Sequence, residues 1–266
     1  MIYSFSPATS KLAVSLSGSI ATLTIDNVLK HNAVDLEMWK AFPSLMDALG
    51  RDPNVRLIVL RGTGQASFTS GADIAEFATV RANAEGGRLY EAANEAAFCA
   101  VAHCSKPVIA MIRGFCLGGG FGLALSCDLR VASENAIFGI PAARLGVGYP
   151  PGAMKLVTAA VGAPAAKDLF FTARRLDAQE AYSLGVVQRL VRDEELEHVT
   201  QALAENIAEN APLTIKAAKA AIDEAVGVTH PNADAMALAD LCFESADAVE
   251  GREAFLQKRR PVFTGR

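Results

Sequence analysis

Hydrophobic and polar residues alternate between residues 12 and 25, with an interruption at the Ser-Gly-Ser segment 17–19. Alternation with a period of two is typical of a strand that buries one face. The pattern therefore predicts a β-hairpin that turns at Gly18.

Apolar residues recur at helical spacing after Asp35. They are Met38, Trp39, Phe42, Leu45 and Leu49. Asp is a favoured helix N-cap, and Gly50 with the following Asp52-Pro53 pair is a typical helix end. We therefore expect a helix over residues 36–50 with one strongly apolar face.

Three continuous apolar runs, residues 57–60, 108–112 and 129–132, predict strands that are buried on both faces. Strands separated by helices imply parallel pairing. Short paired strands and frequent turns do not fit a simple alternation of strand and helix. The pattern favours an α/β fold built as a spiral of strand-strand-helix repeats.

Two later stretches are predicted to be mainly helical. The alanine-rich segment 79–102 offers an apolar face formed by Leu89, Ala93, Ala96, Ala97 and Ala100. After a strand at 186–191, one helix is expected with Asp193 as its cap and another from Pro212 onward. We interpret residues 1–194 as the spiral core and residues 195–266 as a helical C-terminal region that covers the core or reaches a neighbouring subunit.

Composition narrows the functional classes. The 266 residues are 51% hydrophobic and 20% charged, which suits one main folded domain. A net charge of −4 without a basic patch argues against nucleic-acid binding. Five cysteines without CxxC spacing indicate reduced thiols rather than a metal site. No apolar run reaches the roughly 18 residues of a membrane span, and no leader is evident, so we expect a cytoplasmic protein.

Two glycine-bearing loops follow the buried strands. One contains Ser70-Gly71-Ala72-Asp73-Ile74, and the other ends in the triple glycine 118–120 at the start of an apolar helix. Glycines at a helix start let a ligand oxygen approach backbone N–H groups, as in an oxyanion hole. Alternatively, the glycines only allow the helix to pack closely on a strand. Neither loop has the spacing of a P-loop or a dinucleotide fingerprint.

These loops belong to a longer series of motifs in a fixed order. The series comprises residues 70–74, 106–110 (Lys-Pro-Val-Ile-Ala), 114–120, 127–130 (Cys-Asp-Leu-Arg), 138–141 (Phe-Gly-Ile-Pro), 145–146, 171–173, 178–181, 185–187 and 255–259. In order and spacing the series resembles the enoyl-CoA hydratase/isomerase (crotonase) family over nearly the whole chain.

The resemblance implies a crotonase-like spiral, assembled as a trimer or a hexamer, that binds an acyl-CoA thioester and needs no separate cofactor. It places the two oxyanion donors on the backbone N–H groups of Ala72 and Gly119, with Gly71, Gly118 and Gly120 around them. Asp73 and Ile74 are then expected to line the site near the adenine end of coenzyme A. Asp73 is equally suited to cap a helix. Lys258 is expected either to reach a CoA phosphate in an adjacent subunit or to be a solvated charge.

The sequence departs from the family at two positions. A hydratase of this family carries one glutamate where Gly122 stands here and a second where Ala142 stands. Neither residue can move a proton, so hydration by the usual mechanism is in doubt. Either a different group transfers the proton, or no group does.

The nearest candidate for that group is Tyr149, in a Leu-Gly-Val-x-Tyr stretch similar to one in a methylmalonyl-CoA decarboxylase of the family. That enzyme has an acidic residue at the position of Gly122 and a histidine at that of Ala72, so the match is partial. Tyr149 is otherwise an aromatic packing residue, and Arg144 either binds a substrate carboxylate or forms a surface ion pair. Three hypotheses follow: a lyase or isomerase acting on acyl-CoA, a malonyl-type decarboxylase, or a non-catalytic acyl-CoA binder.

Overall fold

The computed structural model describes residues 9–228 and 234–266, and its strands form two sheets. The first eight residues of the predicted core region lie outside the described residues. The strands of the larger sheet are β1 (Leu12–Ser17), β2 (Ile20–Ile25), β3 (Leu57–Gly62), β5 (Val108–Ile112), β7 (Leu129–Ser133) and β10 (Arg189–Val191). Those of the smaller sheet are β4 (Ser67–Thr69), β6 (Phe115–Leu117), β8 (Ile137–Gly139) and β9 (Arg175–Asp177).

The predicted hairpin and the first helix are confirmed. Strands β1 and β2 pair antiparallel around Gly18, which has a positive φ of 57°. Helix α1 (Leu36–Arg51) begins after Asp35, whose Oδ1 accepts a hydrogen bond of 2.9 Å from the Met38 N–H. The predicted apolar face of α1 is buried in the main core.

The larger sheet has the order β1-β2-β3-β5-β7-β10, and every pair after the hairpin is parallel. The smaller sheet has the order β4-β6-β8-β9, in which the first three strands are parallel. Successive pairs β3/β4, β5/β6 and β7/β8 each give one strand to each sheet before the chain enters a helix. This arrangement confirms the predicted spiral of strand-strand-helix repeats.

The helices pack around these sheets. After α1 they are α2 (Phe77–Val80), α3 (Ala84–Ala102), α4 (Gly119–Leu125), α5 (Ala142–Leu145), α6 (Pro151–Thr172), α7 (Ala178–Ser183), α8 (Leu196–Ala208), α9 (Pro212–Ala225), α10 (Ala235–Glu244) and α11 (Ala246–Gln257). Short 3-10 turns precede α2 and α8. The chain from residue 196 to residue 257 is therefore mainly helical within its described part, and residues 258–266 follow without a helix.

Two details of the predicted C-terminal half are wrong. The strand expected over 186–191 covers only Arg189–Val191, because the carbonyl of Val186 accepts from the guanidinium of Arg130 rather than joining a ladder. Asp193 does not cap α8. Its carboxylate accepts instead from Arg113 Nε at 2.7 Å, which ties the start of the C-terminal region to the loop after β5.

The apolar face predicted for segment 79–102 is right in part, since Ala97 is buried and Ala93 and Ala100 pack against the core, but Leu89 and Ala96 are exposed. Leu89 is 66% exposed, whereas Tyr90, Asn94, Phe98 and Val101 are buried. The helix is rotated because Phe98 packs edge-on against Trp39 of α1, with ring centroids 5.8 Å apart. This rotation decides which polar side chains of α3 face the interior.

The C-terminal helices are attached to the spiral at several points. Leu196 and Ala204 of α8 pack in an apolar cluster with residues of the larger sheet, including Val59 and Val131. Lys219 of α9 forms an ion pair of 2.9 Å with Asp128, which also accepts from the Val108 N–H. Residues after 195 therefore pack on the spiral of their own chain, and a further contact with a neighbouring subunit stays a prediction.

Three general features bear on the functional classes. Within residues 9–228 and 234–266, no helix combines the length and the apolar run that a membrane crossing requires. The same ranges contain no group of three or more His, Cys, Asp or Glu side chains arranged to hold a metal ion. All five cysteines, which lie in the described part of the chain, are free thiols.

Candidate active site

Two loops from successive turns of the spiral meet at one end of the smaller sheet. One follows β4 and contains Ala72, and the other follows the parallel neighbour β6 and leads into Gly119 at the start of α4. A Cβ on Gly71 would lie 3.3 Å from the Gly119 nitrogen and 2.6 Å from the Leu117 carbonyl oxygen. Gly71 also has a φ of +96°, so glycine is required where the loops touch.

Both predicted donor groups are free to bind a ligand. Among the described residues, neither the Ala72 N–H nor the Gly119 N–H has a hydrogen-bond acceptor. Gly119 is the first residue of α4, so its N–H has no partner inside the helix, and the start of a helix favours negative charge.

These two residues line a small cavity of about 70 Å³. Its described wall consists of Ser70, Ala72, Ile74, Phe77, Arg81, Glu91, Asn94, Gly118, Gly119, Pro141, Ala142, Leu145, Val147 and Tyr149. The wall is thus mostly apolar, with one carboxylate and one guanidinium among its described residues. Six residues singled out from the sequence contribute to it: Ala72, Ile74, Gly118, Gly119, Ala142 and Tyr149.

Other residues singled out from the sequence lie outside this wall. Asp73 is buried, accepts from the Ala75 N–H at 3.1 Å as a cap, and pairs with Lys30 at 2.6 Å. Gly120 supports packing, because a Cβ there would lie 2.4 Å from Thr69 Cγ2. Arg144 is exposed, as is Lys258 at the left-handed end of α11, so their predicted contacts with substrate stay predictions.

The two positions at which the resemblance predicts glutamates, Gly122 and Ala142, differ in their surroundings. Ala142 faces the cavity. Gly122 does not, because a Cβ there would lie 2.6 Å from Cζ of Phe98, whose ring is buried. The aromatic ring thus fills the space beside α4 that a side chain at 122 would need.

Sequence reasoning missed three polar residues of the wall, Arg81, Glu91 and Asn94. The first follows α2, and the other two lie one turn apart on α3. Asn94 was a usable signal, since an amide four residues after Tyr90 and four before Phe98 shares their buried face.

Arg81 and Glu91 form an ion pair at the cavity, with 2.5 Å between Arg81 Nη2 and Glu91 Oε1. Their side chains are only 14% and 19% exposed. The guanidinium lies between the rings of Phe77 and Tyr90, 4.1 Å from each centroid, which fixes it by cation–π contacts. Burial raises the pKa of Glu91 above its usual range, while Arg81 opposes that rise.

Asn94 is 6% exposed, and its side-chain amide has no hydrogen-bond partner among the described residues. A Cβ on Gly119 would lie 3.1 Å from Nδ2 of Asn94, so the amide is next to the free Gly119 N–H. The amide lines the cavity and its nitrogen and oxygen are not fully buried, so a bound ligand can reach it.

Tyr149 packs edge-on against Phe170 at 5.0 Å between ring centroids and also faces the cavity. Burial raises the pKa of its phenol well above the usual value, and the nearby Glu91 charge adds to the rise. The phenol is therefore neutral at physiological pH and can donate a proton only weakly.

Comparison with known proteins shows to which family this chain belongs. The model of the enoyl-CoA hydratase/isomerase family matches residues 15–266. The chain belongs to the enoyl-CoA hydratase/isomerase family. The resemblance seen in the motif series is thereby confirmed.

Relatives of the family align over almost the full chain. A short-chain-enoyl-CoA hydratase of Clostridium acetobutylicum is 34% identical, covering 91% of this chain and 93% of its own. A carnitinyl-CoA dehydratase of Citrobacter koseri is 32% identical, covering 94% and 96%. An enoyl-CoA hydratase/carnithine racemase structure from Magnetospirillum magneticum superposes with a TM-score of 0.90 at 33% identity, covering 98% and 97%. These relatives are lyase-type enzymes named for acyl-CoA thioesters.

Proposed function

We propose that this member of the enoyl-CoA hydratase/isomerase family is an enzyme that forms the enolate of a short acyl-CoA thioester. The Ala72 and Gly119 N–H groups hold the thioester carbonyl oxygen and stabilise the negative charge that develops on it. Loss of one such donor typically reduces the rate by about 10² to 10³.

The proposal is carried by one observation: two free N–H groups from adjacent loops border the same cavity. They arise from loops in close contact, since a Cβ on Gly71 would nearly touch the Gly119 nitrogen. Their directions are set by a helix start and by a loop that follows a strand, so they need no rearrangement when charge develops.

The part of the cavity beside the two donors favours a short acyl group. Its volume of about 70 Å³ is below the roughly 150 Å³ of an engineered cavity that binds benzene. Beyond Glu91 and Tyr149 it borders a wider groove of about 680 Å³, into which a longer chain would have to extend. Ile74, Phe77, Leu145 and Val147 give it apolar walls that suit a hydrocarbon chain.

A second candidate, loss of carbon dioxide from a malonyl-type thioester, is favoured by Tyr149 and Arg81 in the same cavity. Arg81 would bind the carboxylate, and Tyr149 would protonate the enolate. This candidate ranks second because Arg81 is already paired with Glu91, so the substrate carboxylate would have to displace that contact.

The test is incubation of the purified protein with saturated, enoyl and malonyl-type CoA thioesters in heavy water, followed by mass spectrometry. We expect deuterium at the α-carbon of short saturated thioesters, falling as the acyl chain lengthens. Loss of carbon dioxide without exchange would favour the second candidate. Binding without any chemistry would show an acyl-CoA binder and refute the proposal.

A matched pair of glycine substitutions adds a structural control. Gly71→Ala places a methyl group between the loops and should abolish exchange. Gly87→Ala, on α3 where an added Cβ meets nothing within 4 Å, should leave exchange unchanged.

We further propose assembly as a trimer or a hexamer. Large apolar side chains of the C-terminal helices are exposed in the single chain, among them Phe243 and Phe255, each 83% exposed. Exposed apolar groups of this kind are typical of subunit interfaces. Light scattering of the eluted protein should give three or six chain masses, and a monomer would refute assembly.

A further inference from the structure

Glu91 is the single carboxylate and Arg81 the single cation among the described residues of the cavity wall. The two family positions for glutamate cannot replace them. Ala142 carries no proton donor, and Gly122 is blocked by Phe98. Proton transfer at this site therefore has to use a group from another element, and α3 supplies one.

The contact between Arg81 and Glu91 differs from the contact between Arg113, which is buried, and Glu197, which is 45% exposed. Arg113 binds Glu197 through two nitrogens, with hydrogen bonds of 2.8 and 2.9 Å. By contrast, Glu91 Oε1 and Arg81 Nε are buried and make no aligned hydrogen bond within the described structure. A carboxylate held by charge at short range but not saturated by hydrogen bonds keeps acceptor capacity for a substrate proton.

The environment also suits a general acid–base group. Burial raises the pKa of Glu91, and the charge of Arg81 opposes that rise. A carboxyl group whose pKa approaches the operating pH transfers protons more effectively in both directions. Tyr149 is less suited, since its pKa is raised away from neutrality.

We propose that Glu91, held in place by Arg81, is the catalytic carboxylate of this site and takes over proton transfer from the two absent family glutamates. This inference rests on the enolate chemistry proposed above. It assigns proton transfer to a residue of α3, while the oxyanion donors remain on the loops after β4 and β6.

The step balances without a further reactant. An oxygen of ionised Glu91 takes a proton from the α-carbon of the thioester. The C–H electron pair forms the α-carbon–carbonyl-carbon double bond, and the carbonyl π pair moves to the oxygen bound by Ala72 and Gly119. Return of the proton from neutral Glu91 to the α-carbon completes exchange. With a 3-enoyl thioester as substrate, delivery of the proton to the γ-carbon of the extended enolate gives the 2-enoyl product and completes isomerisation.

Asn94 supports this placement of the substrate. Its unpartnered amide lies one turn after Glu91 on α3 and beside the Gly119 N–H. A thioester oxygen bound at Gly119 would therefore lie near an amide of α3, the helix that also carries Glu91, in a cavity that all three residues line.

The experiment compares wild type, Glu91→Gln and Glu85→Gln, using butyryl-CoA in heavy water. Glu85 lies in the first turn of α3, is exposed and is not part of the described cavity wall. We expect α-deuterium incorporation to fall by about 10² or more in Glu91→Gln and to stay unchanged in Glu85→Gln. Exchange within a few-fold of wild type in Glu91→Gln would overturn the proposal.

Two further readouts separate a catalytic role from a structural one. Difference infrared spectroscopy of the bound thioester carbonyl should show the same shift to lower frequency in wild type and Glu91→Gln, because the oxyanion donors are intact. Glu91→Asp should keep a reduced exchange rate with an acid limb in its pH profile. If Glu91→Gln lost the carbonyl shift together with exchange, Glu91 would be a structural residue and the proposal would be wrong.

The same measurements distinguish this inference from the proposed function. Absence of exchange and of a carbonyl shift in wild type would refute enolate formation and, with it, the role of Glu91. A carbonyl shift with exchange that survives Glu91→Gln would retain the oxyanion hole and refute only the assignment of Glu91.

Discussion

The ring of Phe98 lies where a side chain on Gly122 would have to go, with 2.6 Å between its Cζ and the position of an added Cβ. Phe98 comes from α3 and Gly122 from α4, so the clash is between two packed helices. The ring is 1% exposed and packs against Trp39, so it has little freedom to move. Absence of the first family glutamate is therefore built into the packing of the core.

Restoring that glutamate should fail for a steric reason. We expect Gly122→Glu to lower the melting temperature strongly and to give no hydration of crotonyl-CoA. Adding Phe98→Ala removes the clash, and although that change alone costs roughly 3–5 kcal/mol, the two changes should be less than additive. Ala142→Glu serves as the control, because it faces the cavity and should be tolerated. A stable Gly122→Glu variant with Phe98 intact would contradict this packing.

Removal of the Arg81 charge should shift the pH dependence of exchange. Arg81 lowers the pKa of Glu91, so Arg81→Gln should raise it and move the acid limb of the rate profile to higher pH. At neutral pH the ionised fraction of Glu91, and hence the rate, should fall. The profile is measured by α-deuterium incorporation, with the exposed Arg88→Gln as control. A limb that does not move would show that Arg81 does not control this titration.

Tyr149→Phe should keep most of the α-proton exchange, within about tenfold of wild type. The phenol pKa is raised by burial and by Glu91, so Tyr149 is neutral and is not the base. The ring contact with Phe170 is preserved in the variant. Tyr182→Phe, at an exposed tyrosine, is the matched control. If exchange were lost in Tyr149→Phe but not in Tyr182→Phe, Tyr149 rather than Glu91 would be the group that transfers the proton.

Lys219→Met should loosen α9 from the spiral. The Lys219 side chain is 8% exposed and its pKa is raised by the Asp128 charge despite burial. Loss of one partner from a buried pair costs roughly 3–5 kcal/mol, and the lower end is expected since Asp128 is partly exposed. Urea unfolding measures the loss, and Lys216→Met on the same helix is the control. Equal stability of the two variants would contradict the anchoring role.

Glu250 should keep the C-terminal segment attached to α11 even at low pH. Arg259 and the Val262 N–H bind its carboxylate and lower its pKa to about 2. A lowered pKa means that the contribution to stability is present above the unfolded value and is lost as pH falls through about 2. Glu250→Gln should therefore speed amide exchange at Val262 at neutral pH, unlike Glu253→Gln. Equal exchange in the two variants would refute the attachment.

Elements with strong contrast between apolar and polar positions could be predicted from the sequence. Helix α1 and strands β3 and β5 were found because their buried residues differ sharply from their neighbours. The glycine loops were found because close approach of backbone to ligand requires glycine. Within these loops, the resemblance to the family placed the donors at Ala72 and Gly119.

The remainder of the site could not be predicted because it depends on packing between distant segments. Alanines surround α3 on all sides, so the sequence does not show which face is buried, and the rotation is set by Phe98 against Trp39. Glu91 therefore appeared to be one glutamate among several on a solvated helix. The blocked position at Gly122 likewise depends on a residue 24 positions away.

The parallel pairing of β4 and β6 has a consequence for how this site can change. The loops that carry Ala72 and Gly119 leave adjacent strands, so the gap between them follows the sheet's own spacing of about 4.8 Å. Hydrogen bonds between the strand backbones maintain this spacing, so most substitutions of side chains do not change it. Acidic and basic side chains around the cavity can therefore change, or come from a different helix, while the spacing of these two loops is kept.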